Sequence, residues 1–192
     1  MSVRIVLTYP DPRLRETSET ITQFNAELKS LVQDMIDTMY DENGIGLAAP
    51  QVGELKRLLV VDTRPKDEQG RYENKEQTEL EAQIPQPLVV INPELVKGEG
   101  KTTFDEGCLS VPSFYETVER FKKITLKYQD ENGNTKELVT DGLLSICLQH
   151  EMDHLEGTLF IDHLSLAKAN LIKNNIKKNG YPERKKKEKE TV

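Results

Sequence analysis

The stretch "QHEMDHLEG", residues 149–157, places His150 and His154 four residues apart with Glu151 beside the first. On a helix the two imidazoles lie one above the other on the same face. Two histidines in that relation suit a metal ion, with the carboxylate waiting beside it. The flanking residues Leu143, Leu144, Ile146, Leu148, Met152 and Leu155 make the helix apolar on nearly every side. A buried stripe carrying two His and a Glu must satisfy those polar groups. A metal does so; a hydrogen-bonded pair of core histidines is the alternative.

Two ligands leave a metal site incomplete. The metalloprotease continuation H-E-x-x-H-x-x-G-x-x-H holds as far as Gly157, then meets Phe160 where the third His belongs. His163 comes three residues too late, and the downstream carboxylates Glu183, Glu188 and Glu190 sit in a basic tail. Cys147 precedes His154 by seven residues on roughly the same helical face. Seven residues of helix rise about 10.5 Å, against metal bonds of about 2.0–2.3 Å, so Cys147 reads as a pocket or packing residue. Cys108, in "DEGCLSVP", remains. A lone cysteine is ordinarily a buried structural residue, but the unfilled third position favours it as a ligand. Cys, His and His with an open fourth place is a catalytic ligand count.

Elements must bring these residues together. Phe24, Leu28, Leu31, Val32, Met35 and Met39 at helical spacing predict an amphipathic helix over 24–40, with Asn25 as its cap. "ENGIGLAAPQVG" reads as a loop, "RLLVV" (57–61) and "LVVIN" (88–92) as strands, and "ITLKYQ" and "TKELVT" as a hairpin around "DENGN". The helix of the histidines spans 142–157, with Gly157 at its end, and a last helix is expected over about 164–178. The fold class is α+β: short antiparallel or mixed strands around a central metal-binding helix, with a C-terminal helix. Residues 1–178 are expected to form a single catalytic domain. Within it, 63–87 is polar and charged and reads as a long surface loop. Residues 179–192 read as a basic, flexible tail.

The net charge is −7 over 192 residues. Residues 170–192 carry eight Lys/Arg against three Glu, a local +5, which leaves −12 on the rest. Nucleic-acid binding by the body is thereby disfavoured, DNA included, while the tail suits an anionic surface. No run is long enough to span a bilayer, and "MSVRIVLTYPDPRLR" lacks the plan of a secretory signal. A cytoplasmic protein with reduced thiols is expected.

Three segments together resemble the peptide deformylases: "GIGLAAPQ" (44–51), "EGCLS" (106–110) and "QHEMDHLEG" (149–157). With "PDPRLR" and "MIDTMY", the likeness covers most of residues 3–165. The resemblance implies removal of the N-formyl group from the initiator methionine of new polypeptides, with release of formate. Cys108, His150 and His154 then hold one divalent ion whose fourth position carries water, and Glu151 handles the protons. The resemblance assigns oxyanion stabilisation to the Gln51 amide and the Leu109 backbone N–H. Gly46 lets backbone approach the substrate. Ile45, Leu143, Ile146 and Cys147 are candidate walls of a methionine pocket, with plain core packing as the competing role. Glu106 and Asp153 are expected to orient ligands or nearby backbone. The donor set suits Fe2+, Zn2+, Ni2+ or Co2+; the resemblance implies Fe2+, and hence oxygen sensitivity.

Two other functions compete: a peptidase acting on unformylated peptides, and a non-catalytic module in which the metal is purely structural. The resemblance to bacterial members of the family also makes the last helix with "ERKKKEKE" a candidate contact with ribosomal RNA, with a solvated, solubilising end as the alternative.

Overall fold

The computed structural model describes residues 2–65 and 77–181. Residues 66–76 of the charged loop and 182–192 of the tail lie outside them. Helix α1 (Ala26–Asp41) starts where expected, because the Asn25 side chain accepts the Leu28 N–H at 3.0 Å. It buries Leu28, Leu31, Val32, Met35 and Met39.

Five strands follow: β1 (Gly46–Ala48), β2 (Leu58–Val61), β3 (Leu88–Cys108), β4 (Val111–Gln129) and β5 (Thr135–Asp141). They form one antiparallel sheet in chain order. Around β1 and β2 both faces of this sheet are covered. Leu47, Leu58 and Val60 pack in the cluster of α1, whereas Ala48, Leu59 and Val61 pack in the cluster of α3 (Gly142–Leu155). That is why "LLVV" is unbroken by polar residues: each alternate side chain meets an apolar layer. A third cluster joins Val111 and Val118 to Phe160, Ile161 and the inner face of α4 (Leu166–Asn179).

The α+β architecture around a central helix is as expected, but β3 and β4 are far longer than the sequence suggests, at 21 and 19 residues. β3 runs out beyond β2 largely exposed and charged, so apolar alternation fades along it, while β4 keeps Val118, Arg120, Ile124 and Leu126 buried. Register shifts between Ile91 and Glu94, between Leu95 and Lys97, and at Gly107/Cys108 bend the ribbon.

The charged 63–87 stretch needs a correction. It contains a helical turn, α2 (Glu79–Ala82), with Thr78 as its cap, and its Glu81 is buried. Glu81 Oε1 accepts the Leu144 N–H at 2.6 Å. The Asp141 side chain makes no cap of its own at the start of α3, so a residue read as surface loop closes the N-terminus of the histidine helix. Among the described residues no helix is long and apolar enough to cross a membrane.

Candidate metal centre and its cavity

The long β3–β4 hairpin ends in the two-residue turn Leu109–Ser110, and Cys108 pairs with Val111 across it. The bulge at Gly107/Cys108 marks where the strand breaks register beside the turn. From the other side α3 presents His150 and His154, both buried, with ring centroids 5.1 Å apart. Cys108 Sγ lies 3.2 Å from His154 Nε2. One ligand-type atom from each of Cys108, His150 and His154 falls within 4.8 Å of the others. The sequence thus placed three donors that the fold does bring together.

What surrounds the three donors decides whether they fit an ion. Glu106 Oε2 lies 2.9 Å from His150 Nδ1. Burial pushes the Glu106 carboxyl up, but hydrogen bonds from Arg120 and His150 outweigh it and hold it at about 2. An ionised carboxylate only accepts, so His150 Nδ1–H donates. Burial opposes a charge on the ring, but hydrogen bonds with Cys108 and Glu106 outweigh it and hold His150 well above the usual histidine range, so Nε2 is the ligand atom once it has lost its proton. Burial, then the nearby charge of His150, pushes His154 well below the usual histidine range, which leaves that ring neutral. One sulfur and two imidazole rings brought together in this way suit a borderline transition metal.

Arg120 completes the support. It is 5% exposed and grips Glu106 through two bonds, Nε at 2.7 Å and Nη2 at 2.9 Å. Its Nη1 donates to Asp153 Oδ2 at 2.6 Å, and that oxygen lies 2.7 Å from His163 Nε2. Among the described residues, the hydrogen bonds of Asp153 reach His150 through Arg120 and Glu106, one step further out than Glu106 itself. Arg120 itself was missed, because β4 was not read as a strand over this part. Its signal is period two: Val118, Arg120, Ile124 and Leu126 all point inward. An arginine in such a series calls for a buried acid.

Glu151 is 4% exposed, and its Oε2 is buried with no hydrogen-bond partner among the described residues. Burial first, then the charges of Glu106 and Asp153, raise its carboxyl to about 7 against opposition from His150 and Arg120. It lies against β1 because residue 46 is glycine. A Cβ there would sit 2.7 Å from Cys147 Sγ and 2.9 Å from Glu151 Cδ. Gln51, 1% exposed, follows on the 3-10 turn Ala49–Val52. Its Oε1 accepts the Ala48 N–H at 2.8 Å, and its Nε2 donates to Ser110 Oγ at 3.1 Å and to Cys108 Sγ at 3.5 Å. The amide nitrogen is thus aimed at the cluster. Ser110 also donates its N–H to Cys108 Sγ at 3.4 Å, a support the sequence did not reveal.

These groups open onto one cavity of 1160 Å³. Gln51, Leu109, His150 and Glu151 border it, and so do all four candidate pocket residues. Ile146 and Cys147 are buried, Leu143 is half-buried and Ile45 is exposed. Burial pushes the Cys147 thiol well up, so it behaves as a small apolar wall. Buried donors, a carboxylate with a high pKa and an aimed amide at one end of a cavity are the components of hydrolysis at a carbonyl.

The sequence profile described as polypeptide deformylase matches residues 3–170. A peptide deformylase of Zymomonas mobilis is 48% identical over 179 residues, covering 93% of this chain and 95% of that one. One from Erythrobacter litoralis is 47% identical, with 93% and 97% covered. Among solved structures, the peptide deformylase of Ehrlichia chaffeensis in complex with actinonin superposes with a TM-score of 0.80 at 39% identity, covering 93% and 99%. That of Legionella pneumophila superposes with a TM-score of 0.76 at 42% identity, covering 92% and 95%.

Proposed function

The chain belongs to the polypeptide deformylase family, and from that premise we propose that Cys108, His150 and His154 hold one divalent ion on which its hydrolysis depends. The reaction removes the N-formyl group from the initiator methionine of new polypeptides and releases formate. The observation that carries the site assignment is the convergence of those three donors within 4.8 Å, beside a Glu151 carboxylate oxygen that has no hydrogen-bond partner among the described residues.

When bound, the ion supplies Lewis acidity, which makes a water molecule more nucleophilic and draws charge from a carbonyl oxygen. The protein supplies the rest. Glu151 takes the proton that the attacking water loses and returns one to the nitrogen of methionine as the C–N bond breaks. The Gln51 Nε2–H and the Leu109 N–H offer hydrogen bonds where the formyl oxygen gathers negative charge. Gln51 is already anchored by Ala48 and Ser110, so little reorganisation is needed at the moment of reaction. Gly46 keeps β1 close to Glu151, and Leu143, Ile146 and Cys147 give the methionine side chain an apolar wall. We assign Fe2+ as the physiological ion; the same donors accept Zn2+, Ni2+ or Co2+.

Proton transfer by Glu151 requires its ionised form, which is lost as pH falls through its pKa. Burial sets that pKa at about 7, and a cation held beside it stabilises the carboxylate further. Formate release from formyl-Met-Ala-Ser should therefore show a one-proton acid limb in kcat/KM at or below pH 7. Unformylated Met-Ala-Ser should stay intact throughout. Cleavage of that peptide would favour the peptidase reading.

We place the protein in the cytoplasm, where formylated chains are made, and in contact with ribosomal RNA through α4. Lys168, Lys173, Lys177 and Lys178 line that helix, and Leu166 and Leu171 stand exposed on it. The sequence's basic tail continues beyond it. Removing residues 166–192 should abolish salt-sensitive co-sedimentation with ribosomes; unchanged co-sedimentation would reject the contact.

A further inference from the structure

The segment "TELEA", residues 78–82, carries the spacing Thr-x-x-Glu that closes the start of a short helix. Both halves of that closure are present in α2. Thr78 Oγ1 accepts the Glu81 N–H at 3.2 Å, and Glu81 Oε2 accepts the Thr78 N–H at 2.9 Å. A glutamate that served only its own turn would lie at the surface, where most glutamates are found. Glu81 is 2% exposed instead, because its other oxygen serves α3.

The start of α3 is shaped around this carboxylate. Asp141, at the cap position, makes no side-chain bond to the helix; its Oδ1 accepts the Thr78 hydroxyl at 2.5 Å. Gly142 has φ +61°, and a Cβ on it would meet Glu81 Cδ at 2.6 Å, so only glycine leaves room for the carboxylate to lie there. Glu81 Oε1 then accepts the Leu144 N–H at 2.6 Å, one of the donors that a helix leaves without a partner in its first turn. The negative charge also suits that end of the helix dipole. Ile84 adds an apolar hold, packing against the cluster that contains Leu144, Cys147 and Leu148.

What that turn carries gives the latch its consequence. Leu143, Ile146 and Cys147 line the cavity from the start of α3, ahead of His150 and Glu151. Helices fray from their ends. Loss of the cap therefore displaces these three residues before it reaches the histidines further along.

We propose that Glu81 is a positioning residue for deformylation: it fixes the first turn of α3, and with it the apolar wall on which the methionine side chain lies. The inference rests on the deformylase reading and gives the helical turn α2 a part in holding the substrate. Glu81 acts through α3 and touches neither the metal ligands nor the reacting atoms.

The test joins formate release to amide hydrogen exchange on the metal-loaded full chain. Glu81→Ala should raise KM for formyl-Met-Ala-Ser about tenfold, the scale of a lost helix cap. Its kcat should change by less than about twofold, with the ion still bound. For formyl-Ala-Ala-Ser, whose short side chain gains little from the wall, KM should change by less than about twofold. Exchange at the Leu144 N–H should speed up while the amides of His150 and His154 keep their protection; a general loss of stability would speed both. Glu81→Gln keeps an oxygen to accept the Leu144 N–H and should return KM to within about threefold of wild type. Thr78→Val removes one strut but leaves Glu81 in place, and should raise KM for the methionine peptide by an intermediate factor. Should Glu81→Ala fail to fold, an unchanged KM in Thr78→Val would overturn the proposal. So would an unchanged KM in Glu81→Ala, a fall in kcat with KM unchanged, or equal rises in KM for the two peptides, each leaving deformylation intact. No formate from the wild type would overturn the deformylase reading and this inference with it.

Discussion

Replacing Glu151 with glutamine is expected to slow formate release by about a thousandfold in kcat while the metal stays bound. The amide keeps the size and the hydrogen-bonding reach of the carboxylate but cannot take a proton from water. General acid–base catalysis contributes roughly 10²–10⁴-fold, and here one group serves both the attack and the departure of the amine. The three proposed ligands are other residues, and among the described residues Oε2 of Glu151 has no hydrogen-bond partner whose loss would disturb the fold. The defect should appear in kcat at saturating formyl-Met-Ala-Ser, with KM little changed.

Arg120→Met should produce the largest loss of stability. Arg120 and Glu106 are both about 95% buried and share two hydrogen bonds, and Asp153 is held by the same guanidinium. Removing the arginine leaves an ionised carboxylate in an apolar interior, a change that costs about 3–5 kcal/mol. Urea unfolding should show a lower midpoint with the slope preserved. Deformylation should fall too, because Glu106 would no longer be fixed where it orients the His150 ring. Lysine is not a conservative substitute, since one ammonium cannot replace the planar fork that grips Glu106 while reaching Asp153.

These two residues differ in how legible they were. Glu151 could be read directly, because helical spacing ties it to His150 and His154 and the apolar surroundings forbid an idle charge. The same physics separated Cys147 from Cys108: a helix rises too far between residues 147 and 154 for one ion. Helices α1, α3 and α4 were likewise legible, since periodicity and capping are local. Arg120, Ser110 and Glu81 were not. Each acts across the chain: Arg120 on Glu106 across the hairpin, Ser110 on Gln51, and Glu81 on the start of α3. Nothing in the local sequence around 81 says that its carboxylate is buried over the start of a helix, bonded to a backbone N–H 63 residues away. The outer parts of β3 and β4 were hidden for a related reason. The outer part of β3 is largely exposed and carries little alternation, and the inward series of β4 is interrupted by a charged arginine, so their pairing is set by register and by the turn at Leu109–Ser110.

The central claim is that one ion held by Cys108, His150 and His154 works with Glu151 to release formate. The most direct test is to measure bound metal and formate release on the same anaerobic preparations, wild type beside Glu151→Gln. The account predicts one ion per chain in both, rapid formate release from formyl-Met-Ala-Ser by the wild type, and almost none by the variant. A wild type that carries its ion yet releases no formate, or a variant that releases it as fast, would contradict the account.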